Sequence, residues 1–223
     1  MVNILMSNMS LDKKWSRIPL IKYIKPDSAV TIIGFQFYDE EINSAEQWDE
    51  FYDKQKGAFY QYLVEPLVFF GVMPKSVKWI NYFKDTHNSA VHKIKNSDVL
   101  IFTDGLPARM MQILYNLDIA DEIRKYKGVV IGYGSGAVIQ LSDYQIEPCR
   151  FWDFGYFHGL GLVDNIGIEI HVEECDMENT SIKKFIAEKK KPLYAICDDG
   201  AVIVDNGEVS IIGDVFVKEQ KSD

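Results

Sequence analysis

The chain has 223 residues, of which 47% are hydrophobic and 26% are charged, and its formal net charge is −9. This length suits one sizeable α/β domain with a real core, so we predict a single domain over residues 1–223. The acidic balance argues against a nucleic-acid partner. No stretch approaches the roughly 18 uninterrupted apolar residues of a membrane span, which argues against a membrane partner.

The cysteines and the amino terminus bear on the cellular compartment. Cys149, Cys175 and Cys197 are widely spaced, odd in number and without a C-x-x-C motif. This usage suits a reducing cytosol, in which we expect all three thiols to be free. The apolar run within Met1–Asn8 has no basic segment before it, which favours a first strand over a signal peptide. We therefore predict a cytoplasmic protein.

Strand-like runs alternate with helix-like stretches through the first part of the chain. We expect strands at Val2–Met6, Val30–Phe35, Val77–Tyr82, Val99–Phe102 and Val129–Ile131. Such alternation produces βαβ units and a parallel sheet. A capping box at Ser44–Gln47, followed by apolar residues at helical spacing, predicts one long helix that reaches Leu63.

Shorter strands and loops follow Leu141. Ile166–Val172 alternates as a strand, and Ser181–Lys190 has the pattern of a helix. Closing strands are expected at Leu193–Cys197, Ala201–Val204 and Val209–Ile212, with a hairpin turn at Asp205-Asn206-Gly207. The whole pattern predicts an α/β protein with a mostly parallel central sheet.

The stretch Val129–Gln140 carries the most chemical information. A β-branched apolar run stops at a small-residue turn and a helix-like pattern follows, which is the setting of a G-x-S-x-G nucleophile elbow. Gly132 and Gly136 supply the outer glycines, so Gly134 stands at the apex and Ser135 lies one position later. The sequence therefore predicts an elbow without its nucleophile.

This turn resembles the G-x-S-A-G-A elbow of the dipeptidase E / cyanophycinase family of serine peptidases. Ile101–Pro107 is similar to the glycine-rich loop of that family, and Gly159–Leu162 followed by Ile168–His171 resembles the segment that carries its catalytic histidine. Asp198–Ala201 resembles a late strand turn common in the group. The resemblance implies a class I glutamine amidotransferase-like fold, with three layers and helices on both faces of the sheet.

The resemblance also implies roles for individual residues. The catalytic base falls on His171, with His158 as a competing candidate. The third member of the triad is Asp143, Glu147 or Asp153, and Glu147 is our first choice.

Backbone N–H groups of the family's oxyanion hole fall on Ser135 and on the loop around Asp104 and Gly105. Asp104 stands where the family usually has glycine, and a carboxylate beside a developing oxyanion is electrostatically adverse. Ser135 could replace the missing hydroxyl only if the backbone repacks, because successive helix residues point about 100° apart. Alternatively, Ser135 is an early helix residue near the N-cap.

Two functions remain open at this stage. One is a serine-type dipeptidase that hydrolyses short or acidic peptides, with activity lost if Gly134 removes the nucleophile. The alternative is a non-catalytic member of the family that binds a small peptide, an amino-acid-like ligand or a protein partner in the former cleft. We expect no metal and no cofactor, and the sequence leaves open whether a homodimer forms. We also predict that His171 and Gly134 share one cleft at the carboxyl edge of the sheet.

Overall fold

The computed structural model describes residues 1–35, 42–52, 57–146, 155–173 and 180–219. Within these ranges the strands are β1 Val2–Met6, β2 Val30–Ile33, β3 Val77–Ile80, β4 Val99–Phe102, β5 Val129–Tyr133, β6 Asp143–Ile146, β7 Gly155–His158, β8 Gly167–Ile170, β9 Leu193–Asp205 and β10 Glu208–Lys218. The helices are α1 Lys14–Leu20, α2 Ala45–Tyr52, α3 Ala58–Val68, α4 His87–Lys95, α5 Pro107–Asn116, α6 Ala120–Lys125, α7 Ser135–Val138 and α8 Thr180–Lys189, with a 3₁₀ turn at Pro74–Ser76.

One sheet organises the molecule. Its strand order is β10-β9-β1-β5-β4-β2-β3, and β8 pairs with β9 off this path. The five strands β1, β5, β4, β2 and β3 pair with one another in parallel, whereas β9 pairs antiparallel with β1 and with β10. Strands covered on both faces lack polar alternation, and β4 is buried along its whole length. The predicted α/β class, with a mostly parallel central sheet and helices, is confirmed.

The parallel register gathers three strand ends at one edge. Met6 of β1 pairs with Tyr133 of β5, and Phe102 of β4 pairs with Gly132 of β5. Because parallel strands end at the same edge, the residues that follow β1, β4 and β5 meet there. In open α/β sheets this carboxyl edge is where ligands bind.

The long strand β9 extends the sheet beyond that edge. Its second half, Ala201–Asp205, pairs antiparallel with β1, while its first residues pair parallel with β8. β8 therefore runs towards β1 from the opposite direction, and the two strands end facing each other. The expected turn at Asp198–Ala201 is wrong, since these residues lie inside β9 and β10 pairs along both halves of the strand. The strand is irregular there, however: the pairs Ile196–Val215 and Gly200–Gly213 leave three residues of β9, Cys197–Asp199, opposite the single residue Asp214 of β10, which is a bulge in β9.

The expected long helix from Ser44 is two helices, α2 and α3. The capping role of Ser44 is confirmed, because its Oγ accepts the N–H of Gln47 at 3.2 Å. Gly57 has extended backbone angles (φ −70°, ψ 118°) immediately before α3, so a single helix cannot run through it. Glycine is a poor helix former because it loses the most backbone entropy on folding.

The hairpin between β9 and β10 has the turn that the sequence indicates. Asn206 (φ 48°) and Gly207 (φ 92°) both have positive φ, as a two-residue type I′ turn requires. None of the helices in the described residues is long and apolar enough to cross a membrane.

Candidate functional site

The turn between β5 and α7, which we name the Gly134 turn (Gly132–Gly136), is fixed to the end of β1. Gly134 has φ 56° and ψ −130°, a conformation that a residue with a Cβ adopts only under strain. Its N–H donates to the carbonyl oxygens of Met6 and Ser7, each at 3.0 Å. The end of β1 therefore holds the bend in place.

The two outer glycines are required by close backbone approach. A Cβ on Gly136 would overlap the carbonyl oxygens of Phe102 and Thr103, and a Cβ on Gly132 would overlap the carbonyl of Gly136. These overlaps involve main chain, which cannot rotate away as a side chain could. The sequence argument that the neighbours of the apex must be small agrees with this geometry.

Asp104 occupies the space beside the apex of this turn. Its Oδ1 accepts the N–H of Ser135 at 2.7 Å, and a Cβ on Gly134 would overlap its carboxylate. Ser135 is 7% exposed, and its Oγ donates to the carbonyl oxygen of Gly105 at 2.5 Å. The loop after β4 therefore binds both the N–H and the hydroxyl of Ser135.

Two phenols lie close to the Asp104 carboxylate. The rings of Tyr62 and Tyr133 meet edge to face with centroids 6.0 Å apart. Burial raises the pKa of both phenols, and the negative charge of Asp104 raises them further. Both groups are therefore neutral at physiological pH and provide no charge to balance the carboxylate.

His171 follows β8 directly and has an unusual backbone. Its φ is 56°, which is uncommon for a residue other than glycine and marks local strain. The imidazole Nδ1 lies 2.9 Å from Oδ1 of Asp198 on β9. Both side chains are open to solvent, with 45% of His171 and 71% of Asp198 exposed.

A buried serine joins the two halves of the site. Ser7, which directly follows β1, accepts the N–H of Gly134 at its carbonyl and the N–H of His171 at its Oγ, each at 3.0 Å. The same Oγ donates to the carbonyl oxygen of Ile196 at 2.7 Å. The backbones at Gly134 and His171 therefore both contact Ser7. Sequence reasoning did not single out Ser7; its position directly after the first strand was the available signal.

The carboxylate beside His171 also differs from our expectation. Glu147, our first choice, and Asp153 lie outside the described residues. Asp198 makes the contact instead, and the register of β8 against β9, which pairs Ile170 with Ile196, positions it to do so. The segment Asp198–Ala201 was singled out by resemblance, but its acidic side chains were not considered as partners of His171.

The competing candidates form a separate cluster on the β6–β7 hairpin. Nδ1 of His158 lies 2.8 Å from Asp143, which also accepts a hydrogen bond from Lys189 at 3.1 Å. Partial burial acts to raise the pKa of Asp143, but hydrogen bonds from Lys189 and His158 hold it below its ordinary value. Asp143 therefore contacts His158 and Lys189, whereas the imidazole of His171 contacts Asp198.

An open cavity of about 680 Å³ adjoins His171. Its acidic lining residues are Glu173, Asp198, Asp199 and Asp214. Neither Gly134 nor Ser135 is among the described residues that line it. The cavity therefore lies on the β9–β10 side of His171.

A family model matches most of the chain that contains these features. The model of peptidase family S51 matches residues 56–212, a range that includes Asp104, the Gly134 turn, His171 and Asp198. The chain belongs to peptidase family S51. The predicted dipeptidase E-like family is thereby confirmed.

Solved structures similar to this S51 chain cover nearly all of it. One, from Listeria monocytogenes EGD-e and described as a "Putative Peptidase E Protein", has a TM-score of 0.62 and 17% identity and covers 99% of this chain and 98% of its own. A peptidase from an acI-B1 Actinobacterium has a TM-score of 0.61 and 14% identity and covers 98% of this chain and 87% of its own. At these identities the likeness shows the fold. A search among curated proteins finds no match.

Proposed function

We propose that this S51 member does not hydrolyse peptides through a serine at the Gly134 turn, and that it binds a small ligand in the cavity beside His171. The observation that carries this proposal is the hydrogen bond from the N–H of Ser135 to the carboxylate of Asp104. Peptidase chemistry at such a turn requires a nucleophile, a base and oxyanion donors.

The nucleophile is missing at the apex, where Gly134 has no side chain. Adding one is obstructed, because its Cβ would overlap the Asp104 carboxylate. The two residues are therefore complementary: glycine at the apex leaves the room that the carboxylate fills.

The oxyanion site is also compromised. A tetrahedral intermediate needs the N–H that follows the nucleophile, and here that N–H is bound to Asp104. An oxyanion would have to displace a carboxylate and then remain near it. Two like charges about 4 Å apart repel by about 4 kcal/mol at an effective dielectric of 20, which would slow an acyl transfer by about a thousandfold.

Ser135 is poorly placed to substitute for the missing residue. Its hydroxyl donates to the Gly105 carbonyl, whereas a nucleophilic serine must give its proton to a base. Nδ1 of His171 contacts Asp198, and the backbone N–H of His171 donates to Oγ of Ser7. Hydrolysis through Ser135 would require the hydroxyl to rotate and Asp104 to leave.

Hydrolysis of short or acidic peptides is the second candidate. Family membership favours it, and so does the His171–Asp198 pair, which has the composition of a base with its orienting carboxylate. On this account Asp104 would move aside when substrate binds, and Ser135 would become the nucleophile.

Reaction with a fluorophosphonate probe separates the two candidates. We expect the unaltered protein to remain unlabelled and to leave Asp-Xaa dipeptides intact, and Ser135→Ala to behave identically. An active S51 peptidase treated in parallel verifies the probe. Labelling that maps to Ser135, together with turnover that Ser135→Ala abolishes, would overturn the proposal.

A further inference from the structure

We propose that the outer edge of β10 pairs with the same edge of a second copy of this chain, in an antiparallel arrangement that continues the sheet from one protomer into the other. The strand order ends in β3 on one side and in β10 on the other. The inference does not depend on the proposed function, because it concerns the edge of the sheet and not the ligand of the cavity.

The two outer strands differ in how well they are protected against pairing. β3 has four residues and carries the exposed Lys78, and both short length and lysine are devices that keep edge strands apart. β10 has eleven residues, contains no proline and has lysine only at its last position. Within the part of the chain that the structure describes, β10 pairs only with β9. The edge of β10 is therefore the one that is open to a further strand.

The hairpin turn determines which backbone groups of β10 point outward. Asp205 and Glu208 flank the two-residue turn, and residues in these positions hydrogen-bond to each other. Because the direction of the groups alternates along an antiparallel strand, Val209 and Ile211 point their N–H and C=O groups away from β9. None of the described residues bonds to these outward groups. Two donors and two acceptors are therefore available to a partner in extended conformation.

These outward groups are complementary to those of a second copy. Antiparallel pairing about a two-fold axis at Ser210 places Val209 opposite Ile211 of the second copy. Both residues then direct their N–H and C=O groups towards each other and exchange two hydrogen bonds. The symmetry repeats the pair, so the contact contains four such bonds.

The side chains fit the same register. Ile211 is 46% exposed, and the half-buried Val209 lies on the same face of the strand, so pairing brings apolar side chains of the two copies together. Glu208 lies opposite Ile212 of the second copy, and no like charges oppose each other. Another extended segment would have to supply both the backbone groups and two apolar side chains at alternate positions, whereas a second copy has them in register.

The backbone at Gly213 limits the length of the contact. Its φ of 68° departs from an extended strand, and the bulge of β9 lies opposite Asp214, so the regular edge covers Glu208–Ile212. Five residues span about 17 Å, which places the contact among small and transient interfaces. We therefore expect a weak dimer. Gly213 and Asp214 line the cavity beside His171, so the second copy would lie next to one wall of that cavity.

Sedimentation equilibrium of the full chain measures the association. Between about 5 and 500 µM protein, the mean mass should rise from that of the monomer towards twice that value, with a dissociation constant on the order of 100 µM. Hydrogen exchange followed by NMR should slow at the amides of Val209 and Ile211 at the higher concentration, because these amides gain acceptors in the dimer. The amide of Ser210 faces β9 in either state and is the internal control.

Substitution of Ile211 tests the position of the contact. Ile211→Lys should raise the dissociation constant at least about tenfold, because it removes an apolar contact twice and places lysine on the edge. Ile211→Pro removes the outward N–H and should have the same effect. Ile18→Lys is the matched control: Ile18 is 61% exposed but lies on α1, so the association should not change. Circular dichroism and thermal unfolding verify that each variant is folded.

Three results would overturn the inference. The first is a protein that remains monomeric at every concentration, and the second is equal weakening of the dimer by Ile18→Lys and Ile211→Lys. The third is a dimer in which the amides of Val209 and Ile211 exchange as fast as in the monomer, since such a dimer would use another surface.

Discussion

The Gly134 turn and the cavity beside His171 are built in opposite ways, although the backbones of Gly134 and His171 both contact Ser7. The turn is closed: its glycines touch main chain, and Asp104 fills the space at its apex. The cavity is open, and its principal ion pair is exposed to solvent. A region with no free volume resists new side chains, whereas a region open to water tolerates them and can admit a ligand. The two regions therefore differ in their capacity to admit a ligand.

The largest effect should come from adding a methyl group to the closed region. Gly136→Ala would press its Cβ against the carbonyl oxygens of Phe102 and Thr103, so we expect a loss of about 3 kcal/mol in the free energy of unfolding. Urea denaturation measures it. Gly207→Ala is the control: its φ is 92°, but no atom lies within 4 Å of the new Cβ, so about 1 kcal/mol is expected. Equal losses in the two variants would show that the turn is not tightly packed.

The next effect concerns the pair Gly134 and Asp104. Gly134→Ser should cost about 2 kcal/mol, from positive φ and from overlap with the Asp104 carboxylate. Adding Asp104→Gly to this variant should recover about half of that loss, because it removes the carboxylate and the Cβ of Asp104, both of which crowd the new side chain. The strain from positive φ remains. A double-mutant cycle of unfolding free energies provides the measurement. Strictly additive losses would mean that the two residues do not compete for the same space.

A smaller loss is expected at the residue that joins the two regions. Ser7→Ala removes the acceptor of the His171 N–H and the donor to the Ile196 carbonyl, which should cost about 1–2 kcal/mol. Ser210→Ala, an exposed serine on β10, should change stability by less than about 0.5 kcal/mol. Chemical denaturation of both variants measures the free energy of unfolding. An unchanged value for Ser7→Ala would show that the hydrogen bonds of Ser7 do not stabilise the fold.

The smallest stability changes are expected for the two histidine–aspartate pairs, His158–Asp143 and His171–Asp198, and they should differ between the pairs. Asp143→Asn should cost about 1 kcal/mol at pH 7, since Asp143 is 26% exposed and also binds Lys189. Asp198→Asn should cost less than about 0.5 kcal/mol, because Asp198 is 71% exposed.

The Asp143 effect should also depend on pH. Its pKa is lowered in the folded state, so its stabilisation is present above its unfolded pKa, near 4, and is lost as the pH falls through the folded value. Denaturation at pH 7 and pH 3 should show the gap between parent and Asp143→Asn closing in acid. A gap that widens in acid would contradict the assigned direction.

The sequence predicted most of the sheet because buried parallel strands have a simple signature. The β-branched runs gave β1 and β4 with the observed limits, and the small residues around Gly134 gave the turn. Local pattern failed where tertiary pairing decides the structure. Asp198-Asp199-Gly200 has the composition of a turn, yet it lies inside β9, because the residues on both sides of the bulge pair with β10.

The site was predictable only in part for the same reason. Motif order was enough to propose His171 and Gly134 as site residues, and the departure at Asp104 was visible in the sequence. The contact of Asp104 with Ser135 spans 31 residues, and that of His171 with Asp198 spans 27. Such contacts depend on strand register, which sequence periodicity does not specify. Ser7 is a lone serine after a strand, with no motif around it.

The most direct test of the account is to restore the missing hydroxyl after clearing the space that it needs. Fluorophosphonate labelling would be compared among the parent, Gly134→Ser, and the double variant Asp104→Gly with Gly134→Ser. We expect no labelling of the parent, little of Gly134→Ser because Asp104 still occupies the site, and labelling at residue 134 in the double variant. Labelling of Ser135 in the parent, or labelling of Gly134→Ser equal to that of the double variant, would contradict the proposal that Asp104 and Gly134 together prevent serine chemistry at this turn.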